Sequence, residues 1–221
     1  MLPVTYEMVR KSEEINTYIR QADASLIALG YTEHSFAHVV RCAETASRLL
    51  SELGASEREV ELARIAAYMH DIGNLVNRVD HAQSGAVMAF RILDKMGMPP
   101  EDTALVVTAI GNHDEGTAYP VNGVAAALIL ADKTDVRRSR VRNQATITFD
   151  IHDRVNYAVE KASTTLDAAG KAVVLDLQLD TGMSPVIDYF EIFLERMLLC
   201  RKAAEKLGLS FRLVVNGQTV L

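Results

Sequence analysis

Only two cysteines, Cys42 and Cys200, occur in the 221 residues, far apart and each within a helical pattern. They lack the close spacing of a thiolate metal site or a redox pair, so reduced, buried thiols are expected. No run of 18 or more apolar residues is present, which leaves no candidate membrane-spanning helix. The opening "MLPVTYEMVRKSEE" lacks the basic, apolar and small-residue succession of a secretory signal. The expectation is a soluble cytoplasmic protein with no membrane partner. Positive charge is also short, since 23 Lys+Arg against 29 Asp+Glu leave a net charge of −6. Bulk binding of nucleic acid needs the opposite balance. A small phosphorylated substrate held by metals and a few local cations remains compatible with it.

What is present is a chain that is 49% apolar and long enough for a sizeable core. Residues 5–29 have helical spacing without Gly or Pro until Gly30. "FAHVVRCAETASRLLSELG" reads as a helix stopped by Gly54, and Ser56-x-x-Glu59 as a capping box opening a helix that runs to Gly73. Further helices fit "SGAVMAFRILDKMG", "EDTALVVTAIGNH" and "VNGVAAALILADKTDV". Residues 1–143 therefore form a helical domain, and 144–221 a small α+β unit. In that unit "ATITFDI" and "KAVVLDLQLD" alternate like half-buried strands with a turn at Gly170 between them. A long helix follows, with Ser184 as N-cap, Pro185 at its first position and Gly208 as its stop. "FRLVVNGQTVL" closes the chain as a strand, an Asn216-Gly217 turn and a return strand. The fold class is mainly α, with a small α+β C-terminal unit.

Three of the six histidines are followed directly by Asp: His70-Asp71, His113-Asp114 and His152-Asp153. Imidazole and carboxylate are the ligands of open catalytic sites for divalent transition metals. His38, His70 with Asp71, His81, His113 and Asp132 lie on separate predicted helices, and a bundle can project such residues inward to one point.

The stretch "HVVRCAETASRLLSELGASEREVELARIAAYMHDIGN", closed by Asp132 in "LILADKTD", resembles the HD-domain metal-dependent phosphohydrolase superfamily. The resemblance implies that His38, His70, Asp71 and Asp132 hold one metal. With "HAQSGAVMAFRIL" and "AIGNHDEG" it is similar to two-metal members such as the dinucleoside-tetraphosphate hydrolases and HD-GYP phosphodiesterases. There His81 and His113 would hold a second ion, with Asp71 bridging. It departs from HD-GYP proteins where Asn74 follows "HDIG", where Asp114 follows His113, and in "GTAYP" (residues 116–120). The cofactor implied is divalent metal, two ions of Mn, Fe, Co, Ni, Zn or Mg.

The pairs are accordingly unequal: His70-Asp71 supplies ligands, Asp114 is an exposed carboxylate or an acceptor for a ligand imidazole, and His152-Asp153 is structural. Asp71 and Lys133 are the catalytic candidates, Lys133 as a neutraliser of phosphate charge. Arg137 and Arg138, from the basic run "DVRRSRVR", are candidate phosphate contacts. His34 joins them if the helix of His38 already runs there, and otherwise lies in a loop. The expected function is hydrolysis of a nucleotide or other phosphoester by metal-activated water. A nucleotide-sensing module on the same fold is the alternative, and the apolar residues of the last helix serve either the unit's own sheet or a homo-oligomer contact.

Overall fold

The computed structural model describes residues 3–142 and 150–221. Helices α1 (Tyr6–Lys11), α2 (Glu13–Ala28), α3 (Phe36–Glu52) and α4 (Glu57–Met69) lead to a 3-10 turn at Ile72–Leu75. Next come α5 (His81–Lys95), α6 (Pro100–Gly111) and α7 (Gly123–Lys133), then a 3-10 turn at Arg138–Arg140. The C-terminal part comprises α8 (Ile151–Ala158), β1 (Val159–Asp167), β2 (Ala172–Leu179), α9 (Val186–Lys206), β3 (Ser210–Val215) and β4 (Gln218–Thr219). The mainly helical class with a small C-terminal sheet stands.

Local chemistry sets most boundaries. Ser56 and Glu59 form the expected capping box, each side chain accepting from the other's backbone N–H. Helix α4 stops at Met69, short of Gly73. The single helix expected over residues 5–29 is two, because Ser12 takes an extended conformation that ends α1 while its hydroxyl caps α2 at the Ile15 N–H. Positive φ at Gly30 (82°) and Gly54 (76°) marks the turns after α2 and α3.

Helix α7 is buried at every position from Val124 to Lys133, as its nearly unbroken apolar sequence requires. One side of it, with Leu128 and Ala125, joins the core of α3, α4, α5 and α6. The other side, with Ala126, Ile129 and Leu130, packs with Phe193, Met197 and Cys200 of α9 and with Val173, Leu175 and Leu213 of the sheet. One helix thus belongs to two cores. At roughly 25 cal/mol per Å² of apolar area removed from water, contact on both sides strongly disfavours separating the bundle from α9.

The sheet order is β1-β2-β3-β4, with the outer pairs antiparallel and β2 parallel to β3. Strand β2 buries Val173, Leu175, Leu177 and Leu179 as its alternation predicts. Its hairpin partner is β1, residues 159–167, and not the expected "ATITFDI". Residues 145–149 of that stretch, and the boundary at residue 143, lie outside the described residues, while Ile151 begins α8 under an Asp150 cap. In α9 the N-cap is Pro185, one residue later than expected, and the buried Ser184 hydroxyl donates to Asp188 instead. Asn216 and Gly217 both take positive φ, 50° and 79°, in the turn between β3 and β4. Phe193 and Met197 face the internal core, whereas Ile187 and Leu194 are exposed. Among the described residues no helix is long and apolar enough to cross a membrane.

Candidate metal centre

His70 caps the end of α4, and Asp71 follows in the bridge region (φ −94°, ψ 0°), which turns its carboxylate toward α5. A close backbone approach fixes that turn. A Cβ on Gly73 would lie 1.9 Å from the His81 carbonyl oxygen and 2.5 Å from the Gly85 nitrogen, so only glycine fits. The contact sets the start of α5, and with it His81, beside Asp71. His38 comes from the first turns of α3, His113 from just beyond α6, and Asp132 from the last turn of α7.

Six candidate ligands meet in two overlapping groups. His38 Nε2 lies 3.3 Å from both His70 Nε2 and Asp132 Oδ1, and 3.6 Å from Asp71 Oδ2. His70 Nε2 lies 3.2 Å from Asp71 Oδ2 and 3.8 Å from Asp132 Oδ1. In the second group His81 Nε2 lies 3.2 Å from His113 Nε2 and 3.6 Å from Asp71 Oδ1. Asp71 Oδ2 therefore faces His38 and His70, and its Oδ1 faces His81. All six residues are buried, Asp132 the most exposed at 9%.

The donor set fits divalent metal. Ligands about 2.0–2.2 Å from one ion stand roughly 3.0–3.5 Å from one another at octahedral or tetrahedral angles, close to the spacings found here. The outer nitrogen of every ring is already engaged: Nδ1 of His70, His81 and His113 faces the carbonyls of Ala67, Arg78 and Ile110, and Nδ1 of His38 faces Asp135 at 2.8 Å. A proton held at Nδ1 leaves the Nε2 lone pair free to point inward. Asp71 Oδ2 is buried with no hydrogen-bond partner, a costly state that a cation relieves. Arg78 also sends Nη1 to within 3.3 Å of His81 Nε2.

Electrostatics agree with a cation site. Burial opposes ionisation of Asp71 and Asp132, yet His70 beside the first and Lys133 beside the second hold both carboxyls well below the usual range. Burial, then the nearby charges of His70 and Lys133, keep His113 well below the ordinary imidazole value, favouring the neutral ligand form. Asp135 is likewise depressed against its burial by His38 and Arg137. Cys42 Sγ lies 3.8 Å from His38 Nε2 and falls with His38, His70 and Asp132 in one group of possible ligand atoms, while burial and the carboxylates of Asp132 and Asp135 push its thiol pKa well up.

Around the cluster, His34, Arg78, Lys133, Arg140 and Arg196 line the remaining cavity wall. His34 sits in the loop ahead of α3, its ring edge-on to His38 at 5.6 Å. Lys133 Nζ is held between Asp132 Oδ2 at 2.6 Å and Glu115 Oε2 at 3.1 Å. Glu115 in turn meets Arg196 of α9 at 2.6 Å, and these cations overcome its burial to hold its pKa at about 2.

Arg137 and Arg138 lie elsewhere. Arg137 is locked on Asp135 and Glu33, which makes it a support for the partner of His38, and Arg138 stacks on Tyr157 at 4.7 Å. The cavity cations that sequence reasoning missed are Arg78, Arg140 and Arg196. Arg140 belongs to the basic run already singled out, but no sequence signal marks Arg196, which arrives because α9 packs on α7. Asp114 is half-buried and 3.9 Å from both Arg78 and His81, outside ligand contact with the cluster. His152 is exposed on the first turn of α8, at the mouth of a cleft leading to the cavity.

A helical bundle that buries a His/Asp cluster of this kind is suited to hold divalent metal. Residues 35–162 match the HD domain family, and the chain belongs to it. An uncharacterized protein of Methanocaldococcus jannaschii is 26% identical over 179 residues, 71% of this chain and 69% of that protein. Ribonuclease Y of Cutibacterium acnes is 25% identical over 145 residues, 66% of this chain and 25% of the ribonuclease, so the chain spans about a quarter of that relative. Among solved structures, a predicted HD superfamily hydrolase from an uncultured Thermotogales bacterium is 28% identical with a TM-score of 0.45, covering 59% of this chain and 73% of that one.

Proposed function

We propose that this chain is a metal-dependent phosphohydrolase acting on a nucleotide or other phosphoester, with two divalent ions. The observation that carries the reading is Asp71: one carboxylate, one oxygen toward His38 and His70, the other toward His81. That split suits a carboxylate shared between two ions. On this reading His38, His70, Asp71 and Asp132 hold one ion, and Asp71, His81 and His113 the other. Ions so held, about 3.5–4 Å apart, supply Lewis-acid activation of water and neutralise charge on phosphorus-bound oxygens.

The residues of the chain do the rest. Asp71 sets the spacing of the two groups, and Asn74 Nδ2 fixes its Oδ1 with a 3.0 Å hydrogen bond. Lys133 holds Asp132 Oδ2 so that Oδ1 faces the histidines, and it presents positive charge at the cavity wall. Burial lowers its pKa, but Asp132 and Glu115 overcome this and raise it, so it stays an ammonium. His34 and the arginines face the space left for substrate, where hydrogen bonds to phosphoryl oxygens gain strength out of water.

The test is release of inorganic phosphate or a nucleotide product by full-length protein loaded with Mn or Fe, with Asp71→Ala as control. Turnover lost in the control is expected. Tight nucleotide binding with no turnover under any of the metals named would favour the sensing module instead.

A further inference from the structure

The cavity over the cluster opens into a cleft of about 370 Å³, with which it shares His34, Arg78, Arg140 and Arg196. Three other large clefts on the described surface share no residue with the cavity. Beyond the shared residues the cleft is walled by Tyr31 and Thr32 ahead of α3, by Asp150, His152, Asp153 and Asn156 at and within α8, and by Phe193 of α9, so its outer part carries two carboxylates while its inner neck carries the arginines. A substrate that reaches the metal groups by this route has room for one arm.

Three arginines stand at the neck, and they are engaged differently. Arg140 spends its Nε on the Glu33 carbonyl and its Nη1 on the Asp135 carbonyl. Arg78 Nη1 is drawn to Asn74 and His81, and its guanidinium lies over Tyr31 at 5.5 Å. Arg196 Nε forms an ion pair with Glu115 Oε1 at 2.6 Å, without hydrogen-bond geometry, and its guanidinium rests on the Phe193 ring at 4.8 Å. Its two terminal nitrogens have no partner among the described residues, and the side chain is 30% exposed. An anchored guanidinium with its outer fork free is arranged to take two oxygens of one phosphoryl group.

Resting on the hydrolase reading above, we infer that the site is selective for a terminal phosphate, the phosphomonoester type, and that Arg196 on the C-terminal helix determines this selectivity. A terminal phosphate is mostly dianionic at neutral pH, with a second pKa of about 6, and carries one organic arm. An internal diester carries one charge and two arms. The neck formed by His34, Arg78, Arg140 and Arg196 suits the first shape, and its three arginines favour the first charge. In the reaction, water oxygen bonds to phosphorus and the ester P–O bond breaks. The leaving oxygen ends protonated as the alcohol, and inorganic phosphate remains.

Two measurements test this on the full chain loaded with Mn. The first compares kcat/KM for 4-nitrophenyl phosphate and bis(4-nitrophenyl) phosphate. A preference for the monoester of at least about tenfold is expected, since a site built around charged hydrogen bonds rejects a ligand lacking the matching group. The second is calorimetric binding at pH 8 of phenylphosphonate against its monomethyl ester, where the dianion should bind at least about tenfold tighter. Arg196→Ala should collapse both ratios toward one with metal content unchanged, and Arg196→Lys, which keeps the charge beside Glu115 without the fork, should fall between.

Diester preferred, or both ligands bound equally by the unaltered protein, overturns the inference. Ratios unmoved in a folded, metal-loaded Arg196→Ala overturn the role of Arg196. Discrimination in binding with no turnover of either ester leaves the terminal-phosphate site standing and overturns the hydrolase reading.

Discussion

The His38 side of the cluster and the His81 side present the same ring nitrogen, yet the protein holds them differently. His38 leans on a buried carboxylate, Asp135, which Arg137 and Arg140 grip in turn, and Asp132 is clamped by Lys133. His81 and His113 lean only on backbone carbonyls, and Arg78 crowds the His81 nitrogen. A carboxylate behind an imidazole raises its basicity more than a carbonyl does. On the two-ion reading, the first group, with four candidate ligands and charged support, would hold the tighter ion, and the second an ion more easily exchanged.

Changes at shared and unshared residues sharpen or break that contrast. Asp71→Ala should have the largest effect, removing both ions and lowering turnover by about a thousandfold or more, since both groups lose a ligand. Elemental mass spectrometry and phosphate release check it together, and retained activity would mean the cluster has been misassigned. His81→Ala with His113→Ala should halve the metal content while the first ion stays, whereas loss of both would erase the distinction between the two sides.

Asp135→Asn touches only the outer support of His38, and metal affinity should fall about 10–100-fold, seen by chelator competition. An equal loss at both ions would contradict the separate support.

Glu115 supplies a smaller, pH-dependent test. Its folded pKa of about 2 lies below the ordinary value of 4.5. Its contribution to stability is therefore full above pH 4.5 and lost as pH falls toward 2. Glu115→Gln should flatten the acid limb of the stability curve in that window and leave stability near neutral pH lower. The smallest effect belongs to His152→Ala: an exposed side chain at the cleft mouth should change turnover by less than about threefold. A hundredfold loss would place the third His-Asp pair in the chemistry.

The convergence of His38, His70, Asp71, His81, His113 and Asp132 was legible because they sit at helix ends in a fixed order, so "HDIG" and the later histidines could be matched residue by residue. Glycine stops and the Ser56 box were readable for a similar reason, since their chemistry is local. Strand β1 was not: burial along it does not alternate, because it is an edge strand lying against α3, with Arg48 reaching the Thr164 carbonyl. Without a period of two there was no pattern to see. The break at Ser12 hid because both flanking segments keep helical spacing. Charge told least, since Arg137 and Arg138 looked like phosphate contacts by nearness in sequence. The tertiary packing of α9 on α7 instead brings Arg196 to the cavity.

If the Asp71 carboxylate joins two metal groups, the metal content of each chain will show it. Protein purified without chelators or a histidine tag, incubated with Mn or Fe and analysed by elemental mass spectrometry, should carry about two ions per chain. Two ions that fall to none in Asp71→Ala would bear the account out. One ion at saturation, or none, would contradict it.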